Sequence, residues 1–259
     1  MLRRKRTQPS TRCIVQITAR DADVMAAVAA NNYMSADQIA RDAFPSEDRC
    51  RRRLRQLLDA KYIAATLVSS QAPNLVSITR DGLAALADRG VDISAWRPPA
   101  PIRSSAVPHH LLGVDARMYA AGLVVEGIGR LAAWELGKGE TARAIGLSAA
   151  HIAPDFIAFA DIRGQSGVVV GELDCGHEGT ALVEKLQKYW RWLPHQQATR
   201  LWLVADGDDA RVRLVCRMCA GFEKWVRVMR PADLRRRPIV KTPGELNLLA
   251  GHGTPGGRT

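Results

Sequence analysis

Three carboxylates stand close together in HIAPDFIAFADIRGQSGVVVGELDCG (151–176): Asp155 opens one apolar run, and Glu172 and Asp174 close the next. Read as strands, the runs put Glu172 and Asp174 on one face with Val168 and Val170, and Asp155 with Ile157 and Phe159, because side chains alternate along a strand. A hairpin through DIRGQSGV would gather all three acids at one edge of a sheet. Like charges so placed repel unless they are protonated, paired with cations or bound to a metal. Oxygen ligands of this type call for a hard ion such as Mg²⁺ as cofactor. Such an ion activates water and stabilises the charge that develops in phosphoryl transfer. The plainer alternative is a set of strand-end acids held by arginines or backbone donors.

A second cluster is basic. SEDRCRRRLRQLLDAKY (46–62) reads as a helix carrying five arginines in seven positions, with only Glu47 and Asp48 to balance them. At about 100° per residue, Cys50, Leu54, Leu57 and Leu58 share one face. Arg49, Arg52 and Gln56 lie opposite, with Arg51, Arg53 and Arg55 on the flanks. In a major groove, arginines take guanine O6 and N7 while flanking cations hold phosphates. A solvated arginine face is the structural alternative.

These groups need elements to position them. Residues 1–18 form a basic arm. DADVMAAVAANNY (21–33) and SADQIARDAF (35–44) read as helices before the arginine helix, with Ser35 and Ser46 as N-caps. YIAATLVSS and NLVSIT, joined by QAPN, read as a two-stranded wing, and RDGLAALADRG as a closing helix. Three helices and a hairpin predict a winged helix-turn-helix over 19–95. WRPPAPIRSSAVPHH (96–110) holds four prolines and predicts a linker at 96–108. Beyond it come a helix (110–127), strands around 130–137, 152–162 and 167–174, a helix (179–193) and a strand (200–205). A helix near 208–220 and a strand KWVRVM follow, giving α-β-β-β-α-β and then α-β over 109–240. The glycine-rich end, 241–259, reads as a flexible tail.

Composition agrees with a nucleic-acid partner: the net charge is +11 and the pI about 10. No run approaches the ~20 apolar residues of a membrane span, and the basic MLRRKRTQPSTR is not followed by a signal-peptide core. A soluble, cytoplasmic protein is expected. Five scattered cysteines argue against a disulfide framework, and Cys216 and Cys219 read as small buried helix residues rather than zinc ligands.

PD (154–155) followed by ELD (172–174) within this element order resembles the PD-(D/E)xK nuclease superfamily, a restriction-endonuclease-like fold. Asp155 and Glu172 match its metal-binding acids. Its third position, usually lysine, is Asp174 here; some members carry the lysine on the following helix, which makes Lys185 the candidate. ELDCGHEGTALVEKLQKYWRWL is also similar to the replication-relaxation proteins of plasmids and mobile elements, which combine a winged helix with a nuclease-like domain. The resemblance covers roughly residues 18–230. It implies a protein that binds double-stranded DNA in replication, relaxation or mobilisation, with a relaxase among its partners and oligomers allowed. It also implies either a metal-dependent nicking site or a degenerate nuclease fold serving as regulator or scaffold. In the active version Asp155 and Glu172 hold Mg²⁺, Lys185 stabilises negative charge, and Asp174 is an extra ligand or orienting acid.

His110 is positioned to approach this site, although a capping or core role is the commoner one for such a histidine. His151 reads as structural, and Tyr189, Trp190 and Trp192 as packing aromatics rather than a stacking platform.

Overall fold

The computed structural model describes residues 15–68, 73–125, 130–135, 140–162, 165–176, 179–196 and 199–235. It is a mixed α+β chain with two sheets, divided into two compact units, Met1–Val107 and Pro108–Thr259. Most of the N-terminal arm, part of the QAPN turn and the C-terminal tail lie outside the described residues.

The first unit begins with α1 (Ala19–Asn31), α2 (Ala36–Ala43) and α3 (Glu47–Asp59). Side-chain caps start each of them, as short hydroxyl and carboxyl side chains satisfy the unpaired N–H groups of a first turn. Thr18 and Asp21 form a reciprocal capping box on α1, Ser35 and Gln38 do the same on α2, and the Ser46 hydroxyl accepts from Arg49 N on α3. The sheet has three strands, β1 (Met34–Ser35), β2 (Ile63–Thr66) and β3 (Leu75–Ile78), in the order β1-β3-β2 and antiparallel throughout. The two-residue β1 is additional to the expected hairpin. It is too short to show an alternation in sequence, and it exists because Met34 and Ser35 pair with Val76 and Leu75. α4 (Arg80–Ala87) closes the unit, capped by Thr79. Gly82 is required there, because a Cβ would lie 2.0 Å from the Tyr62 carbonyl oxygen. Val24, Met25 and Val28 of α1, Ile39 of α2 and Cys50, Leu54 and Leu57 of α3 are buried, together with Ile63, Leu75 and Ile78.

The segment after α4 is not free of the first unit, since the Tyr33 hydroxyl donates to the Ala100 carbonyl at 2.9 Å. The second unit opens with α5 (Val107–Val125), three residues earlier than the sequence suggests. β4 (Arg130–Glu135) and a short α6 (Glu140–Ala144), which the expected order lacks, lead to β5 (Phe156–Ile162) and β6 (Gln165–Asp174). α7 (Gly179–Trp192), β7 (Thr199–Ala205), α8 (Asp209–Met218), β8 (Val226–Met229) and α9 (Pro231–Leu234) complete it.

The five strands lie in the order β4-β5-β6-β7-β8. β4, β5 and β6 pair antiparallel, whereas β6, β7 and β8 pair parallel, with α7 and α8 as the crossovers. One face buries Ile157, Val170, Leu201 and Leu203 under Leu182, Leu186 and Tyr189 of α7 and Val212 and Val215 of α8. The other buries Phe156, Leu173, Trp202 and Val204 under Leu112, Ala116, Tyr119 and Ala120 of α5. Cys219 is buried, and burial pushes its thiol up to about 12. Cys216 is exposed rather than buried, being off the Val212–Val215–Cys219 stripe.

Candidate functional site

The β5–β6 hairpin brings two of the three carboxylates together. Asp155 enters β5 with its N–H bonded to the Gly171 carbonyl at 2.8 Å, and its Oδ2 accepts the Leu173 N–H at 2.7 Å. The register pairs Phe156 with Gly171, and the Phe156 ring lies over Gly171 so closely that a Cβ there would be 1.9 Å from it. A residue without a side chain is what lets Asp155 come alongside Glu172.

α7 supplies the counter-charge. Lys185 pairs with Glu172 Oε2, and one turn later the Tyr189 hydroxyl donates to Glu172 Oε1 at 2.6 Å. Spacing four residues apart puts both groups on the same helix face. Glu172 is only 2% exposed. Burial pushes its carboxyl up to about 8; Lys185 opposes the rise and the neighbouring Asp155 charge adds to it. Burial also acts to raise Asp155, but the His109 hydrogen bond, the Lys185 charge and the Leu173 N–H outweigh it and hold this carboxyl below its ordinary value. Tyr189 is driven well above the ordinary phenol range by burial and by the adjacent carboxylates, so it acts as a hydrogen-bond donor and not as a phenolate.

Asp174 does not join the pair. Arg211 of α8 chelates it, Nε to Oδ2 and Nη2 to Oδ1, both at 2.8 Å. Gly176 N–H also donates to its Oδ1 at 3.1 Å. His109 of α5 reaches the site, with Nε2 3.2 Å from Asp155 Oδ1. Neither Arg211, 37 positions from Asp174, nor the hydroxyl role of Tyr189 was identified in the sequence. For Tyr189 the spacing from Lys185 held the signal; for Arg211 nothing local did.

The donor set fits a hard divalent cation at Asp155 and Glu172 only. Two carboxylates close enough for one to raise the other's pKa are a place where added positive charge is favourable. Mg²⁺ keeps several waters and is commonly held by one or two carboxylates with substrate phosphates. Among the described residues no group of three or more His, Cys, Asp or Glu is arranged to hold a metal.

The arginine helix divides in a way its helical wheel does not reveal. Arg49, Arg52 and Arg55 are exposed and make no ion pair among the described residues. Arg51 pairs with Glu47 at 2.8 Å, both groups solvated. Arg53 turns inward: Nε and Nη2 grip the two oxygens of buried Asp21 at 2.7 and 2.5 Å. Its Nη2 also reaches the Gln16 carbonyl at 2.7 Å, and its Nη1 donates to Gln56 Oε1 at 2.6 Å. Asp21, 32 residues away, is held below its ordinary pKa, the Arg53 and Thr18 bonds outweighing its burial.

The chain thus joins in sequence a mixed unit that bears an arginine-rich helix and a second unit whose mixed sheet carries Asp155 and Glu172 beside Lys185. The replication-relaxation family model matches residues 25–207, a span that includes α3, Asp155, Glu172 and Lys185, and the chain belongs to that family. No curated protein matches it. No described helix is long and apolar enough to cross a membrane.

Proposed function

We propose that the chain is a DNA-binding protein acting in the replication or relaxation of plasmid or mobile-element DNA. Its first unit would be a winged helix-turn-helix contacting duplex DNA through α3. Its second would be a PD-(D/E)xK-type domain that nicks a strand beside that site. The observation that carries this reading is the Glu172–Lys185 contact next to Asp155. Asp155 and Glu172 are the residues that would hold Mg²⁺, which when bound supplies Lewis-acid activation of water and phosphate. Lys185 provides a fixed positive charge for the phosphate oxygens as negative charge grows on them. Asp155 is oriented by His109 and the Leu173 N–H, and Tyr189 orients Glu172.

A second reading, a non-catalytic regulator or relaxosome scaffold that partners a relaxase, is favoured by a different observation. All six oxygens of Asp155, Glu172 and Asp174 already accept from a protein donor. One experiment separates the two. For the nicking protein, millimolar Mg²⁺ or Mn²⁺ raises the thermal midpoint of the wild type by mass action on the folded state, and Asp155→Asn with Glu172→Gln abolishes the rise. Supercoiled plasmid is nicked in the same buffer, and Lys185→Ala stops it. A midpoint shift without nicking selects the scaffold; no shift at all removes the metal site.

A further inference from the structure

A glutamine in a major groove ordinarily reads adenine, because its carboxamide donates to N7 and accepts from the N6 amino group. Gln56 lies on the exposed side of α3 with Arg49 and Arg52, but its carboxamide is not free to do both. Arg53 Nη1 donates to Gln56 Oε1 at 2.6 Å. Arginine has donors and no acceptor, so this contact fixes which end of the carboxamide is the oxygen. Arg53 is itself immobilised by Asp21 and the Gln16 carbonyl. The oxygen of Gln56 is thus held by an anchored cation, while its NH₂ group makes no hydrogen bond among the described residues. The remaining lone pair of that oxygen lies beside a guanidinium, where an approaching amino hydrogen meets like charge.

We propose that Gln56 is a specificity-determining residue whose carboxamide, clamped through its oxygen by Arg53, offers DNA a donor alone and so selects guanine over adenine. Guanine presents two adjacent acceptors, O6 and N7, to the major groove; adenine pairs its N7 with a donor that needs an acceptor, and cytosine offers only a donor. The inference rests on α3 being the DNA-contacting helix. Its content is separate: Arg53, which by charge belongs with the phosphate-binding arginines, acts through Gln56 as a positioning residue.

The test is selection of the full-length chain on a duplex pool randomised in its centre, with Gln56→Ala, Gln56→Glu, and Arg49→Ala plus Arg52→Ala run in parallel. Gln56 is exposed, so its variants should melt with the wild type. The wild type is expected to enrich guanine at one position by about tenfold over adenine, the scale of one good base contact. Gln56→Ala should lose that preference alone. Gln56→Glu, which keeps the Arg53 contact but replaces the donor by an acceptor, should move it to cytosine or adenine. Adenine at the Gln56-dependent position of the wild type overturns the inference. So does a selected sequence unchanged in both Gln56 variants while the arginine variant alters it, and in both cases the DNA-reading role of α3 survives. If none of the variants changes either selection or affinity, that role falls and the inference falls with it.

Discussion

Glu172 and Asp21 are both buried carboxyls beside a cation, yet they respond to pH in opposite senses. Glu172 titrates near 8 in the folded chain against 4.5 as the ordinary value, so the folded state holds an extra proton between those limits. Its contribution to stability is complete below about 4.5 and is lost as pH rises through 8. The thermal midpoint of the wild type is expected to fall as pH rises from about 4.5 to about 8 and to level off above that, and Glu172→Gln should flatten that decline. Asp21 lies below its ordinary 3.8, so its share is present above that value and is lost as pH falls through the lower folded one. Asp21→Asn should therefore cost stability at neutral pH and little in strong acid. A decline over that range equal in wild type and Glu172→Gln would show that another group is responsible.

At the scale of elements, the β5–β6 hairpin is the piece most readable in the sequence. Its two apolar runs, the DIRGQSGV stretch that separates them in sequence and the alternation that faces Asp155 and Glu172 alike are local patterns. The caps Ser35 and Ser46 were equally legible, because an N-cap acts within three residues. What could not be read was pairing between distant elements: Asp174 with Arg211, Asp21 with Arg53, and Asp155 with His109. Each depends on how helices dock, and a helical wheel that assigned Arg53 to an exposed flank had no means of seeing Asp21 below it. Gly171 marks the boundary, visible as a glycine within a strand but explained only by the Phe156 ring. Gly171→Ala is expected to destabilise the second unit by about 1–3 kcal/mol through overpacking. It should also weaken any metal-induced midpoint shift, while Phe156→Leu in the same chain recovers part of the loss. Additive effects of the two substitutions in a denaturant cycle would mean that the contact is not the cause.

At the scale of the molecule, two compact units meet in sequence at Val107–Pro108. The proline-rich stretch reads as a linker over 96–108, and within it Ala100 accepts a hydrogen bond from Tyr33 of the first unit. Exposed Arg97 precedes a proline and is a poor site for trypsin, whereas exposed Arg103 precedes serine. Limited trypsin digestion is expected to make its first inter-unit cut after Arg103 and release two fragments that stay folded. Resistance at that bond, with earlier cuts inside either unit, would place the boundary elsewhere.

The change from antiparallel to parallel pairing at β6 has a consequence in time. β5 and β6 are adjacent in sequence, with Ile162 paired to Gln165, so their contacts are local. β7 can join only after α7 has crossed over. Asp155 and Glu172 are therefore synthesised before Lys185 and Tyr189. The same helix that brings Lys185 and Tyr189 to Glu172 also brings Leu182 and Leu186 over Ile157 and Val170. Counter-charge for the acid pair and cover for this face of the sheet thus arrive together, on one element.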